Sequence, residues 1–125
     1  MIRGIDHIEL IVRDLEAYID FLEKLGFELL TRTTHHGGSV EMRIVGQDQP
    51  IFEIHQVGGE EVIGINHIAF RVDNAEAAHA ALGAAGIAVE EGPGFVPSTG
   101  RTNVNLRDPD GWRVQLVEAG RKAPD

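Results

Sequence analysis

Apolar and polar residues alternate from Ile5 to Val12: Ile8, Leu10 and Val12 share one side of an extended chain, and His7 and Glu9 share the other. The period then changes. Leu15, Ile19, Leu22 and Leu25 fall at helical spacing, Asp14 stands at an N-cap position and Gly26 follows as a stop, which predicts a helix over Leu15 to Lys24. Period two returns afterwards. Phe27 to Thr34 reads as a strand, His35-His36-Gly37-Gly38 as a solvated turn, and Val40, Met42 and Ile44 alternate with Glu41 and Arg43 in a half-buried strand. A turn over Gln47 to Pro50 leads into a strand from Ile51 to Val57, with Phe52 and Ile54 on the helix side and Glu53 and His55 opposite.

The same order then recurs. Ile65 to Val72 reads as a strand with His67 and Arg71 on its polar side, and Asn74 caps an Ala-rich helix that runs through Ala85 and stops at Gly86. Ile87 to Glu90 reads as a strand, and Gly92 to Gly100 as a loop able to close over a site. Thr102 to Leu106 is a strand, Asp108-Pro109-Asp110-Gly111 a turn, and Trp112 to Val117 the last strand, with Gln115 on the polar side. Each half is therefore strand–helix–strand–strand–strand. The expected division is a first module over 1–58, a linker over 59–63, a second module over 64–119 and a frayed tail over 120–125.

The halves also match residue by residue. Gly4-Ile5-Asp6-His7-Ile8 meets Gly64-Ile65-Asn66-His67-Ile68 at an offset of 60, and Glu16-Ala17 meets Glu76-Ala77. The offset later slips to 62, where Pro50 to Ile54 answers Trp112 to Leu116. Two copies are too few for a solenoid and suit a paired, pseudo-two-fold architecture. Each copy places one imidazole at the same structural position, and two converging histidines begin a metal site.

With 125 residues the chain is one domain, since halves of about 60 residues are marginal alone. A net charge of −9 argues against a nucleic-acid partner, because phosphate binding wants a basic face. There is no Cys, hence no disulfide and no thiolate ligand. Neither a signal peptide nor a run of about 18 apolar residues is visible, so the expectation is a cytoplasmic protein with no membrane partner.

Asp6-His7-Ile8, Leu25-Gly26-Phe27, Phe52-Glu53-Ile54, Asn66-His67-Ile68-Ala69-Phe70 and Asp108-Pro109-Asp110-Gly111 together resemble the vicinal oxygen chelate superfamily, which includes glyoxalase I, methylmalonyl-CoA epimerase, extradiol dioxygenases and bleomycin-resistance proteins. The resemblance implies an α+β fold: two βαβββ modules form a curled mixed-sheet cup with helices on the outer face. It implies a divalent metal (Ni, Co, Zn, Mn or Fe) on His7, Glu53, His67 and Gln115. The glyoxalase pattern carries Glu where this chain has Gln115, which speaks against the dioxygenase and fosfomycin-resistance branches. Glu118 is not favoured as a substitute, because alternation puts it on the other face.

The chemistry implied is a glyoxalase-type lyase or isomerase acting on a small α-oxo or 2-hydroxy carbonyl substrate through an enolate-like intermediate. Glu53 is the catalytic carboxylate of that reading, with Glu9 or Glu41 open to recruitment. Arg43, His55, Arg71, Asn103 and Asn105 share the polar faces and are candidates for substrate contact. A homodimer is implied, its metal site formed within one chain or across two. The alternatives are an Fe(II) dioxygenase using His7, His67 and Glu53, and a non-catalytic drug binder of the bleomycin-resistance kind.

Overall fold

The structure, a computed structural model, describes residues 1–119; the tail expected to fray over 120–125 lies outside them. The chain divides into two compact units: His7–Asn66, and Met1–Asp6 together with the chain from His67 onward. The fold class is α+β, each unit being built on a βαβββ module.

In the first module β1 (Ile2–Val12, with His7 to Val12 in this unit) pairs in parallel with β4 (Ile51–Gln56). β3 (Ser39–Ile44) lies antiparallel between β4 and β2 (Phe27–Thr33), giving the order β2-β3-β4-β1. The helix α1 (Leu15–Lys24) begins where Asp14 accepts a hydrogen bond from the N–H of Ala17. Its Ile19 and Leu22 pack on Val12, Val40, Met42 and Ile54, the apolar side of the sheet.

The second module repeats this. β5 (Gly64–Val72, with His67 to Val72 in this unit) pairs in parallel with β8 (Arg113–Glu118), and β7 (Arg101–Arg107) and β6 (Glu91–Val96) follow antiparallel, giving β5-β8-β7-β6. The helix α2 (Ala75–Ala84) is capped by Asn74 as Asp14 caps α1. Ala78 and Leu82 pack on Val72, Val104, Leu106 and Leu116. Replacing the strand and helix labels of one module by those of the other maps the two strand orders onto each other.

One element departs from the sequence expectation. Ile87 to Glu90 is not a strand; β6 instead runs through Glu91–Val96, all but its first residue inside the stretch from Gly92 to Gly100 expected to be a loop. Gly92, Pro93 and Gly94 masked it, since their residue types signal a break. Yet β6 sits at the outer end of the order beside β7 alone, where Pro is tolerated because one side of the strand needs no donors. The segment is a hairpin with a turn over 97–100 rather than the loop expected to close over a site.

Candidate metal centre

Strand alternation leaves one face of each sheet to the helix and sets polar side chains on the other. In the first module that second face carries His7 and Glu9 from β1, Glu53 and His55 from β4, and Glu41 and Arg43 from β3. It is no ordinary solvated surface, for His7, Glu9, Glu53 and His55 are all buried.

The register puts carboxylates side by side. Glu53 pairs with Glu41 on β3 and with Glu9 on β1, so three acidic residues run in a row across three adjacent strands. Like charges directly opposite one another in a sheet are destabilising, and burial raises the cost. Cationic or donor groups must offset that row. The structure places three imidazoles there. His7 Nε2 lies 3.5 Å from Glu53 Oε2, His36 Nε2 lies 3.2 Å from Glu9 Oε1, and His55 Nδ1 lies 3.6 Å from Glu9 Oε1.

The matching row of the second module is neutral. Gln115 pairs with Asn105 on β7 and with Ala69 on β5. Gln115 Nε2 donates to Asn105 Oδ1 at 2.9 Å, so Oε1 is the atom of Gln115 suited to face a cation. His67 lies two residues before Ala69 on the same face, as His7 lies two before Glu9, and both His67 and Gln115 are buried. The metal-competent residues expected from sequence thus form two pairs at repeat-equivalent positions, His7 with Glu53 and His67 with Gln115.

Glu118 is turned away from this face, as alternation requires. Its Oε1 accepts from the N–H of Ala75 at 2.9 Å, at the start of α2. In the first module Gln56 does the same for Leu15 at 3.2 Å.

The residues expected to touch substrate are scattered in role. Arg43 pairs through Nη2 with Glu28 Oε1 at 3.2 Å while its buried Nε has no hydrogen-bond partner. Asn103 Oδ1 is likewise buried without a partner, whereas Asn105 is engaged with Gln115. Arg71 Nη2 reaches the carbonyl of Arg3 at 3.5 Å. His55 is bound up with Glu9, His36 and Glu61 rather than standing alone.

Sequence reasoning left Glu61 out, gave Glu9 only a reserve role and read His36 as part of a solvated turn. Comparison of the repeats carried a signal for the first module: Glu9 and His55 correspond to Ala69 and Val117, both with no exposed surface. For His36 and Glu61, which come from a turn and a connecting segment, spacing offers no signal.

The sequence pattern of the Glyoxalase/Bleomycin resistance protein/Dioxygenase superfamily matches residues 4–116. The chain belongs to that superfamily. The uncharacterized protein YwbC of Bacillus subtilis (strain 168) is 41% identical over 61 residues, 47% of this chain, and the match spans about half the length of that relative, 48%. Among solved structures, a variant of methylmalonyl-CoA epimerase from Streptomyces coelicolor in complex with 2-nitronate-propionyl-CoA matches with a TM-score of 0.80 at 21% identity, covering 97% of this chain and 100% of that one. A variant of homoprotocatechuate 2,3-dioxygenase from B. fuscum matches with a TM-score of 0.70 at 21% identity, covering 99% of this chain and 36% of that one. Both likenesses show a shared fold, and the superfamily they share includes metal-dependent isomerases and dioxygenases. No helix among the described residues is long and apolar enough to cross a membrane.

Proposed function

We propose that this member of the superfamily is a divalent-metal-dependent isomerase or lyase of the glyoxalase type, acting on a small α-oxo or 2-hydroxy carbonyl compound. The row Glu41–Glu53–Glu9, with Glu53 and Glu9 buried beside His7, carries the reading. Two buried carboxylates side by side, with a third half-buried next to them, call for a cation, and the donor types present suit one. His7, Glu53, His67 and Gln115 are the residues that would hold it: two imidazoles, one carboxylate and one amide oxygen. A bound divalent ion would supply Lewis-acid polarisation of a substrate carbonyl.

The protein's own groups do the rest. Glu53 moves a proton between adjacent substrate carbons, and its register partner Glu41 is a second carboxylate within the same row. The unpartnered Nε of Arg43 and the unpartnered Oδ1 of Asn103 are a donor and an acceptor suited to orient polar substrate groups. Asn105 acts on Gln115, holding the amide so that its oxygen can face the ion. The homodimer and the cytoplasmic location belong to the same proposal.

The test is metal content of untagged protein together with solvent-deuterium exchange into a panel of α-oxo and 2-hydroxy carbonyl compounds. Glu53→Gln keeps a ligand oxygen and removes the base. It should retain metal while exchange falls about 10²–10⁴-fold. His7→Ala/His67→Ala should lose one ion per chain. Undiminished exchange in Glu53→Gln would refute the base assignment. Oxygen uptake with Fe(II) and no exchange would favour the dioxygenase alternative, and tight drug binding with no metal uptake the binder.

A further inference from the structure

The polar face of the first module holds a second set of donors, none of them among the four proposed ligands. Glu9, His36 and His55 offer one oxygen and two ring nitrogens, all within 4.8 Å of one another. We infer that these three residues bind one first-row divalent transition-metal ion, with Glu61 fixing the ring of His55. Its ligands are distinct from the four-donor set proposed above, and Glu9 is the one residue it shares with the carboxylate row.

The distances fit coordination. Donors held about 2.0–2.1 Å from a tetrahedral ion lie roughly 3.3–3.4 Å apart. Glu9 Oε1 is 3.2 Å from His36 Nε2 and 3.6 Å from His55 Nδ1. Two edges of a coordination polyhedron are therefore already in place around one carboxylate oxygen. The third, between the imidazoles, closes by movement of His36, which sits in an exposed turn followed by Gly37 and Gly38.

The state of the His55 ring points the same way. His55 Nε2 lies 2.9 Å from Glu61 Oε2, a carboxylate that can only accept, so Nε2 carries the hydrogen. Glu61 is anchored in turn, its Oε1 accepting from the N–H of Gly58 at 2.9 Å. In a neutral imidazole this leaves a lone pair on Nδ1. That atom is buried, has no hydrogen-bond partner and faces Glu9. A lone pair aimed at a carboxylate, on a side chain only 2% exposed, is costly unless a cation lies between them. At 3.6 Å from Glu9 Oε1, Nδ1 stands too far for a direct hydrogen bond to it. A carboxylate holding the far N–H of a histidine whose other nitrogen faces a donor cluster is the usual support of a ligating imidazole.

Two further features agree. His36 adopts φ 52°, the left-handed region that non-glycine residues avoid. Its ring stacks on that of His55 with centroids 4.5 Å apart and planes inclined by 20°, and because imidazole lone pairs lie in the ring planes, the His36 ring turns out of this stack when both rings ligate one ion. The equivalents of Glu9 and His55 in the second module are Ala69 and Val117, so the βαβββ scaffold itself does not require polar groups there.

The donor set selects the ion. Two imidazoles and one carboxylate suit Zn, Co, Ni or Fe(II) and not Mg or Ca, which prefer oxygen. Three protein ligands leave at least one position open to water or a small oxygen ligand.

The experiment is equilibrium dialysis of the untagged full chain against Zn(II) and Co(II), with long-range ¹⁵N NMR of the histidine rings during the Zn(II) titration. Wild type should take up two ions. His36→Gln and Glu9→Gln, conservative in size and checked for folding by circular dichroism, should each lose one. Glu61→Gln should weaken that ion about 10–100-fold. Zn(II) should move the Nδ1 resonance of His55 and leave its Nε2–H in place. The inference is overturned if both His36→Gln and Glu9→Gln keep wild-type uptake, or if saturating Zn(II) leaves His55 Nδ1 unmoved. His7→Ala/His67→Ala separates the two sites. Uptake lost there and kept in His36→Gln defeats this inference alone, whereas the converse defeats the four-donor set alone.

Discussion

Glu118 offers a direct test of which face of β8 does what. Its carboxylate accepts from the Ala75 N–H at 2.9 Å, while Asn74 serves Ala77 at 2.8 Å, so two of the first N–H groups of α2 are satisfied by side chains. Glu118→Ala removes one partly buried hydrogen bond, worth about 1 kcal/mol, and a negative charge at a helix N-terminus, worth about 0.3–1 kcal/mol. The sum, about 1.5 kcal/mol, is roughly a tenfold change in the folding equilibrium. Glu118→Gln keeps the acceptor and loses only the charge, costing about 0.5 kcal/mol. Gln56→Ala is the internal control, since it removes a longer, neutral bond to Leu15 at 3.2 Å and should cost less than Glu118→Ala, about 0.5–1 kcal/mol. Urea denaturation reads all three, with a shifted midpoint and an unchanged slope. Metal uptake should be unaffected by Glu118→Gln. If Gln56→Ala proves the costlier, or if Glu118→Gln loses an ion, the assignment of Glu118 to the helix side is wrong.

Two further outcomes follow from local geometry. The Arg107 guanidinium holds the Glu90 carboxyl below the usual carboxylate range, first by hydrogen bonding and then by charge, through contacts of 2.9 and 3.2 Å. With the folded value depressed, the pair's contribution is present above the unfolded carboxylate value and is lost as pH falls through the folded one. ¹³C NMR titration should show Glu90 returning to the ordinary range in Arg107→Gln, and an unchanged titration there would refute the cause. Gly92→Ala would place a Cβ 2.4 Å from the carbonyl oxygen of Asn103 at φ +101°, whereas a Cβ at Gly94 meets nothing within 4 Å. Gly92→Ala should therefore lower the urea midpoint clearly, by more than about 1 kcal/mol, and Gly94→Ala far less; equal effects would refute the close approach of β6 to β7.

The elements and their faces were legible in the sequence wherever a period was unbroken. Leu15 to Leu25 gave a helix with its cap, and the alternation around His7, Glu53, His67 and Gln115 put each on the side away from the helix. Such patterns survive because burying one face of a strand or helix is a local demand on every second or every third-to-fourth residue. The repeat offset was equally plain, as it compares residues without needing any geometry. β6 was not legible. Gly92 and Pro93 signal a break, and only pairing with β7 at the end of the strand order overrides them.

The cluster at Glu9 lay furthest from the sequence. His36, His55 and Glu61 come from a turn, a strand and a connecting segment, and no spacing rule links them to β1. Sequence determined the two-module α+β fold, the polar faces and the paired histidines, because these rest on periodicity and repetition. Tertiary structure alone decided that Glu41, Glu53 and Glu9 stand in one row, and that the buried Nδ1 of His55 faces a carboxylate. Strand register and side-chain direction are set by the packing of the whole sheet, not by any stretch of chain read on its own.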